Sequence, residues 1–222
     1  ARLRSRHREK RLAMGLTLEN LSKSYQGQII IPAWNAQFDA EDRIAVLGGN
    51  GSGKSTLLKL LSGQVSPSSG RLRCPEIPED QWSQCISYTG PHVDLFDAFS
   101  PRELFAHHQR LRPLRPEANL ASVPLTEEAL ARPMARLSSG MKQRVKLALA
   151  IWTEAPLLLL DEPCSHLDQA GVEWFHQLLG ASLKPTERFA HRMLWVASNH
   201  KKEEIGHCDQ TYHPSGEAVV PL

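Results

Sequence analysis

Between Gly48 and Ser55 the chain reads Gly-Gly-Asn-Gly-Ser-Gly-Lys-Ser, which fills the pattern G-x-x-x-x-G-K-[ST] in full. Glycines at this density let backbone N–H groups converge on one point, and such a point attracts an anion. Lys54 adds a compact positive charge suited to the β and γ oxygens of a nucleotide. The Ser55 hydroxyl suits a hard divalent cation such as Mg²⁺. The predicted phosphate site is therefore Gly48, Gly49, Asn50, Gly51, Ser52, Gly53, Lys54, Ser55 and Thr56.

A second cluster lies about a hundred residues further on, where "LLLLDEP" (157–163) runs apolar and then ends in two acids. An acid at the carboxyl end of a buried strand is well placed beside a phosphate-bound Mg²⁺, and Asp161 is predicted there. Glu162 follows and is the predicted general base, taking a proton from water in line with the γ-phosphate. Alone, two acids before a proline are a strand meeting a turn. Behind a glycine loop they read as the other half of a nucleotide-hydrolysing site.

These groups act together only if the chain brings them together. Ile44 to Leu47 predicts a fully buried strand, and residues 54–62 a helix whose N-terminus faces the phosphates. Alternation in "LTLENLSKSY" and "QIIIPAWNAQF" predicts antiparallel strands over 16–38, with further strands at "RLRC" and 84–90. Ser100, Pro101 and Glu103 form a capping box, so a helix is expected over 101–111. Prolines at 113, 116, 124 and 133 divide the next stretch into short helical pieces, one starting after Thr126. Met141, Val145, Ala148, Leu149 and Trp152 fall on one helical face, with Lys142, Arg144 and Lys146 largely opposite. "LLLL" suits a parallel strand covered on both sides. A helix over 170–181, a strand over 191–198 and a C-terminal hairpin complete the pattern. The predicted class is α/β: a parallel, RecA-like P-loop core with an N-terminal antiparallel layer and an inserted helical subdomain. Residues 14–222 are expected to form one domain, with the core in 14–90 and 137–222 and the subdomain in 91–136.

Composition narrows the partners. Hydrophobic residues make up 41% and charged residues 23% of 222, and no apolar run nears the ~18–20 residues of a membrane span. Any role at a membrane is thus expected to run through a partner. The formal charge of +2 is misleading, because residues 1–13 hold six Lys/Arg and one Glu. The remainder has 20 cations against 23 acids, so no nucleic-acid partner is expected. Residues 1–13 are read as a disordered basic arm, with Met14 as the natural first residue; contact of the arm with anionic lipid or RNA is the other reading. Four scattered cysteines read as reduced thiols. The neighbouring His107 and His108 would splay apart on a helix, so no metal site is read there.

A third motif, Leu137-Ser138-Ser139-Gly140-Met141, continues as Lys142-Gln143-Arg144, and Ser138 stands 19 residues before Leu157. With it the sequence resembles the ATP-binding cassette (ABC) family of ATPases, from Leu16 to about His213. The pentapeptide matches the family's L-S-G-G-Q signature, and "CSHLD" (164–168) matches its D-loop, ending on Asp168. Tyr25, 29 residues before Lys54, stands where the family carries an aromatic stacked on adenine. The resemblance implies ATP and Mg²⁺ as cofactors and a homodimer or pseudo-dimer of cassettes closing head-to-tail. Each ATP would lie between one P-loop and the partner's Ser138, Ser139, Gly140 and Met141. It also implies a transmembrane permease subunit as partner, and a cytoplasmic, peripheral location on the inner face of the cell membrane.

The chain departs from the family at Ser139 and Met141, where glycine and glutamine are usual. The Q-loop glutamine is missing, with Pro91 or His92 in its place. The switch histidine is assigned to His200, with Asn199 one residue earlier as the alternative. Phe96 and Phe99 suit either a docking site for the permease or the core of the subdomain. The leading expectation is an ATP-hydrolysing transporter subunit. The alternative is a soluble ABC-type ATPase serving assembly, such as iron–sulfur cluster building. A GTPase is disfavoured by the lack of an N-K-x-D guanine reader.

Overall fold

The computed structural model describes residues 14–199, 201–214 and 219–222, so the basic arm and His200 lie outside the described residues. The alternation after Gly15 builds a three-stranded antiparallel sheet from β1 (Leu16–Tyr25), β2 (Gln28–Phe38) and β4 (Ser69–Arg73), in the order β2-β1-β4. Leu16, Leu18 and Leu21 turn one face of β1 inward, and bulges shift its register after Leu18.

The second sheet has the order β5-β6-β7-β3-β8-β9. Its strands are β3 (Arg43–Leu47), β5 (Ile86–Thr89), β6 (Leu157–Asp161), β7 (Met193–Ser198), β8 (Gln210–Tyr212) and β9 (Val220–Pro221). All neighbours run parallel except the last pair. Successive side chains on a strand point to opposite faces, and this explains the unbroken apolar runs. Leu157, Leu159, Met193 and Trp195 face a core shared with the antiparallel sheet and helix α1 (Lys54–Leu61). Leu158, Leu160, Leu194 and Val196 face a second core under α4 (Ser139–Trp152) and α5 (Gln169–Ser182). Both faces of the sheet are covered, so polar residues are absent from its middle.

Between β5 and α4 lie α2 (Pro101–Leu111) and α3 (Glu127–Ala131). Ser100 closes the expected capping box with Glu103, and Thr126 caps α3 through Ala129 N. Leu104, Ala129, Met134 and Leu137 form a third small core against Val145 and Leu149 of α4. α4 is therefore covered from two sides, and Gln143, Leu147, Ala150 and Ile151 are buried along with the predicted face. Lys142, Arg144 and Lys146 are half-buried, and they reach Asp97, Asp168 and the Gly90 carbonyl respectively. β7 starts at Met193 rather than at residue 191 because Arg192 is buried sideways, donating to the carbonyls of Ile151 and Thr153 at the end of α4. Among the described residues no helix is long and apolar enough to cross a membrane.

Candidate active site

The glycine loop leaves the end of β3 and turns into α1, with Gly53 as the N-cap. Lys54 is 5% exposed. Its Nζ donates to the carbonyls of Gly48 (2.8 Å) and Gly49 (2.9 Å) and to Asn199 Oδ1 (2.6 Å). Burial lowers the lysine's pKa, while the Glu162, Asp161 and Glu204 carboxylates pull it back up. The Asn199 amide then donates to Asn50 Oδ1 (2.9 Å) and to Glu162 Oε1 (2.9 Å). One side chain just beyond β7 thus ties the glycine loop, the lysine and the second acid together. His200, preferred on the sequence for this role, lies outside the described residues.

Asp161 ends β6 at 1% exposure. Burial is the main cause that raises its carboxyl's pKa; Glu162 adds to the rise, and Ser55 and Lys54 oppose it. The Ser55 hydroxyl is near but outside full hydrogen-bond geometry, so both Asp161 oxygens are buried without a hydrogen-bond partner. A carboxylate facing a hydroxyl and left unpaired in this way fits a hydrated divalent cation. Among the described residues no group of three or more His, Cys, Asp or Glu could hold a metal ion alone. The remaining ligands would then be phosphate and water oxygens, as suits Mg²⁺.

Glu162 adopts φ 48, the left-handed region that non-glycine residues rarely occupy, and its N–H donates to Ala197 O (2.9 Å). This turn swings the carboxylate away from the strand axis. Ser165 Oγ donates to its other oxygen at 3.4 Å. Glu162, Tyr25, Ile30 and residues 50–56 line one cleft of about 270 Å³. At its mouth Tyr25 is 46% exposed, with Lys23 Nζ 4.7 Å from the ring centre, and the ring offers a flat aromatic face.

The pentapeptide motif is not brought to this cleft. Ser138 caps α4 by accepting from Met141 N, and Ser139 lines a separate cavity of about 530 Å³ with Pro91, Lys142, Lys146 and Glu162. Gly140 is the pinned residue: a Cβ there would stand 2.7 Å from the His166 carbonyl oxygen. Gln143 Nε2 donates to Pro163 O (2.8 Å), and Arg144 Nη2 to Asp168 Oδ1 (2.5 Å). Asp168 also caps α5 by accepting from Gly171 N (2.8 Å). Gly140→Ala is therefore expected to lower Tm by roughly 2–10 °C through overpacking. The exposed neighbour Ser139→Ala is expected to leave Tm unchanged, and thermal melts of the two variants check the pair.

Sequence reasoning left three contributions unseen. Arg144 and Gln143 belong to the motif's own continuation, which is the signal that marks them. Ser198 and Glu204 carry no such signal: the Glu204 carboxylate, 1% exposed, accepts from Ser198 Oγ at 2.5 Å behind Asn199. Tyr88, with its phenol raised in pKa by burial and by Asp161, stands beside the first acid. His92 is exposed, as is Phe96 at 74%, while Phe99 packs into the helical core.

A parallel sheet with a glycine loop into a helix, and two acids at the end of β6, two places from β3 in the sheet, defines a P-loop nucleotide-binding fold. Residues 33–165 match the family model described as ABC transporter, and the chain belongs to that family. It is 39% identical over 152 residues to ABC transporter F family member 3 of Arabidopsis thaliana, covering 66% of this chain and 20% of that protein. It is 32% identical over 178 residues to the cytochrome c biogenesis ATP-binding export protein CcmA of Cupriavidus pinatubonensis, covering 76% of this chain and 78% of that protein. The chain thus spans a fifth of the length of the first relative and over three quarters of the second. Among solved structures, a dimeric ATP-binding cassette in a post-hydrolysis state with ADP and phosphate matches at TM-score 0.75. That match has 21% identity and covers 93% of this chain and 98% of the other.

Proposed function

We propose that this chain is the ATP-binding and ATP-hydrolysing subunit of an ABC transporter, acting through a separate transmembrane permease on the inner face of the cell membrane. The observation that carries the reading is the Asn199 amide, which joins Lys54, Asn50 and Glu162 at one point. Lys54 transfers its donors from the loop carbonyls to the β and γ oxygens. Tyr25 covers the adenine. Glu162, held by Asn199 and Ser165, accepts the proton of the attacking water. Asp161 and Ser55 would hold Mg²⁺, which supplies charge neutralisation on the phosphates.

Two cassettes close head-to-tail in the ATP state. Support comes from the position of the pentapeptide motif: Ser139 lies in a different cavity from its own glycine loop, so the α4 N-terminus is free to meet the nucleotide of a second cassette. Residues 14–222 act as one unit, with 91–136 as the helical subdomain that faces the permease.

Asn199→Ala is expected to lower turnover by roughly 10- to 100-fold, the scale of loss when a catalytic group loses its positioning partner. ATP binding should survive both this change and His200→Ala, and whichever of the two costs more turnover carries the switch role that the sequence assigns to His200; steady-state kinetics and nucleotide titration read both. The permease is tested by gentle detergent extraction of native membranes with this chain tagged. A co-purifying polytopic membrane protein that stimulates the ATPase is the expected result. A chain that stays free of membranes and hydrolyses ATP at full rate alone would reject the transporter reading in favour of a soluble ATPase.

A further inference from the structure

Three buried oxygens without a hydrogen-bond partner crowd one corner of the parallel sheet: both carboxylate oxygens of Asp161 and the phenol of Tyr88. Tyr88 is on β5, the neighbour of β6, and pairs with Leu159 two residues before Asp161. Gly90 stands between the two side chains. A Cβ on it would lie 2.8 Å from Asp161 Cβ, 3.1 Å from the Tyr88 hydroxyl and 3.3 Å from Asp161 Oδ2. Both oxygens lie that close to one point, so they are at most about 6.4 Å apart, a gap that one or two bridging oxygens span.

A buried polar group left unpaired destabilises a fold, and three in one place call for a shared partner. The partner has to satisfy a carboxylate and a hydroxyl at once, in a gap that any residue larger than glycine at position 90 would narrow. A hydrated cation does this. Mg²⁺ keeps several of its waters when bound, and those waters are strong donors that need oxygen acceptors.

We infer that the Tyr88 hydroxyl is an outer-shell residue of the Mg²⁺–nucleotide complex, accepting a hydrogen bond from a water on the metal held by Asp161. This rests on the nucleotide site proposed above. Tyr88 places an oxygen acceptor on the β5 side of Asp161 and would act on that carboxylate through a shared water rather than by direct contact. It is a positioning residue: it binds no phosphate and takes no proton from the reacting water.

Tyr88→Phe keeps the ring and removes one oxygen, so it tests the inference directly. The full chain is saturated with a non-hydrolysable ATP analogue, and Mn²⁺ binding is measured by electron paramagnetic resonance. Mn²⁺ should bind about three- to tenfold more weakly than in wild type, the worth of one hydrogen bond to a polarised water. Affinity for the analogue without metal should not change. The Tm of the nucleotide-free protein should be equal or higher, since an unpaired buried hydroxyl has been removed. Unchanged Mn²⁺ affinity, or a nucleotide-free protein that melts several degrees lower, would overturn the inference. Asp161→Asn separates the two levels. If it weakens Mn²⁺ binding and Tyr88→Phe does not, the role of Tyr88 alone fails; if neither does, the nucleotide-site reading fails with it.

Discussion

Glu162→Gln is expected to lower ATP hydrolysis by roughly 10²–10⁴-fold, the usual worth of a positioned general base. Glutamine keeps the size of the side chain and can still accept from the Asn199 amide through its carbonyl oxygen, as Glu162 Oε1 does at 2.9 Å. It cannot take the proton of water. The φ of 48 at this residue is a property of the turn and should persist. Binding of ATP should therefore survive while turnover is lost. With the γ-phosphate retained, two cassettes should remain closed, so the variant should elute as a dimer with Mg-ATP and as a monomer with ADP. Adding Ser138→Arg places a bulky cation at the α4 N-terminus and should dissolve that dimer without affecting binding to the monomer. Hydrolysis at the wild-type rate in Glu162→Gln would sink the mechanism. A monomer under every nucleotide would remove the support for the paired arrangement.

Lys54→Ala should weaken Mg-ATP binding by roughly 100-fold or more, since two or more charge-assisted hydrogen bonds to phosphate are lost together. The fold should hold. The Lys54 ammonium donates to two loop carbonyls and Asn199, none of them part of an apolar core. Removing the ammonium also removes the cost of burying it, which offsets part of the lost hydrogen bonding. Isothermal titration with ATP, beside a thermal melt, reads both halves. Unchanged affinity would refute the assignment of the glycine loop.

The parallel core was legible because its signal is local. "LLLL" is apolar at every position, as a strand covered on both faces must be, and the capping box at Ser100 depends on a contact three residues away. Helical spacing marked one apolar face of α4 but says nothing about a second cover: the pieces around Leu104 and Met134 take Val145 and Leu149, while Leu147 and Ile151 are buried against the sheet. Asn199 illustrates another limit. The residue that follows a strand can be counted to within one position, but which side chain reaches Lys54 depends on how β7 pairs with β3, where Ser198 sits opposite Leu47. Ser139 departs from the motif, and within the single chain its side chain is exposed. The tight position is Gly140, for a reason that lies 26 residues downstream at His166.

The three ties between α4 and residues 163–168 have a mechanical consequence. Gly140 rests on His166, Gln143 holds Pro163 and Arg144 holds Asp168, so the first turns of the helix and the loop behind Glu162 are braced like one bracket. A load applied at the N-terminal turn of α4 has a short path to the carboxylate, across packed atoms and not around the 20 residues of intervening chain. The bracket is anchored at its far end by Asp168, which is also the first fixed point of α5. A shift of the signature turn would therefore be felt both at the start of α5 and in the loop that carries Glu162.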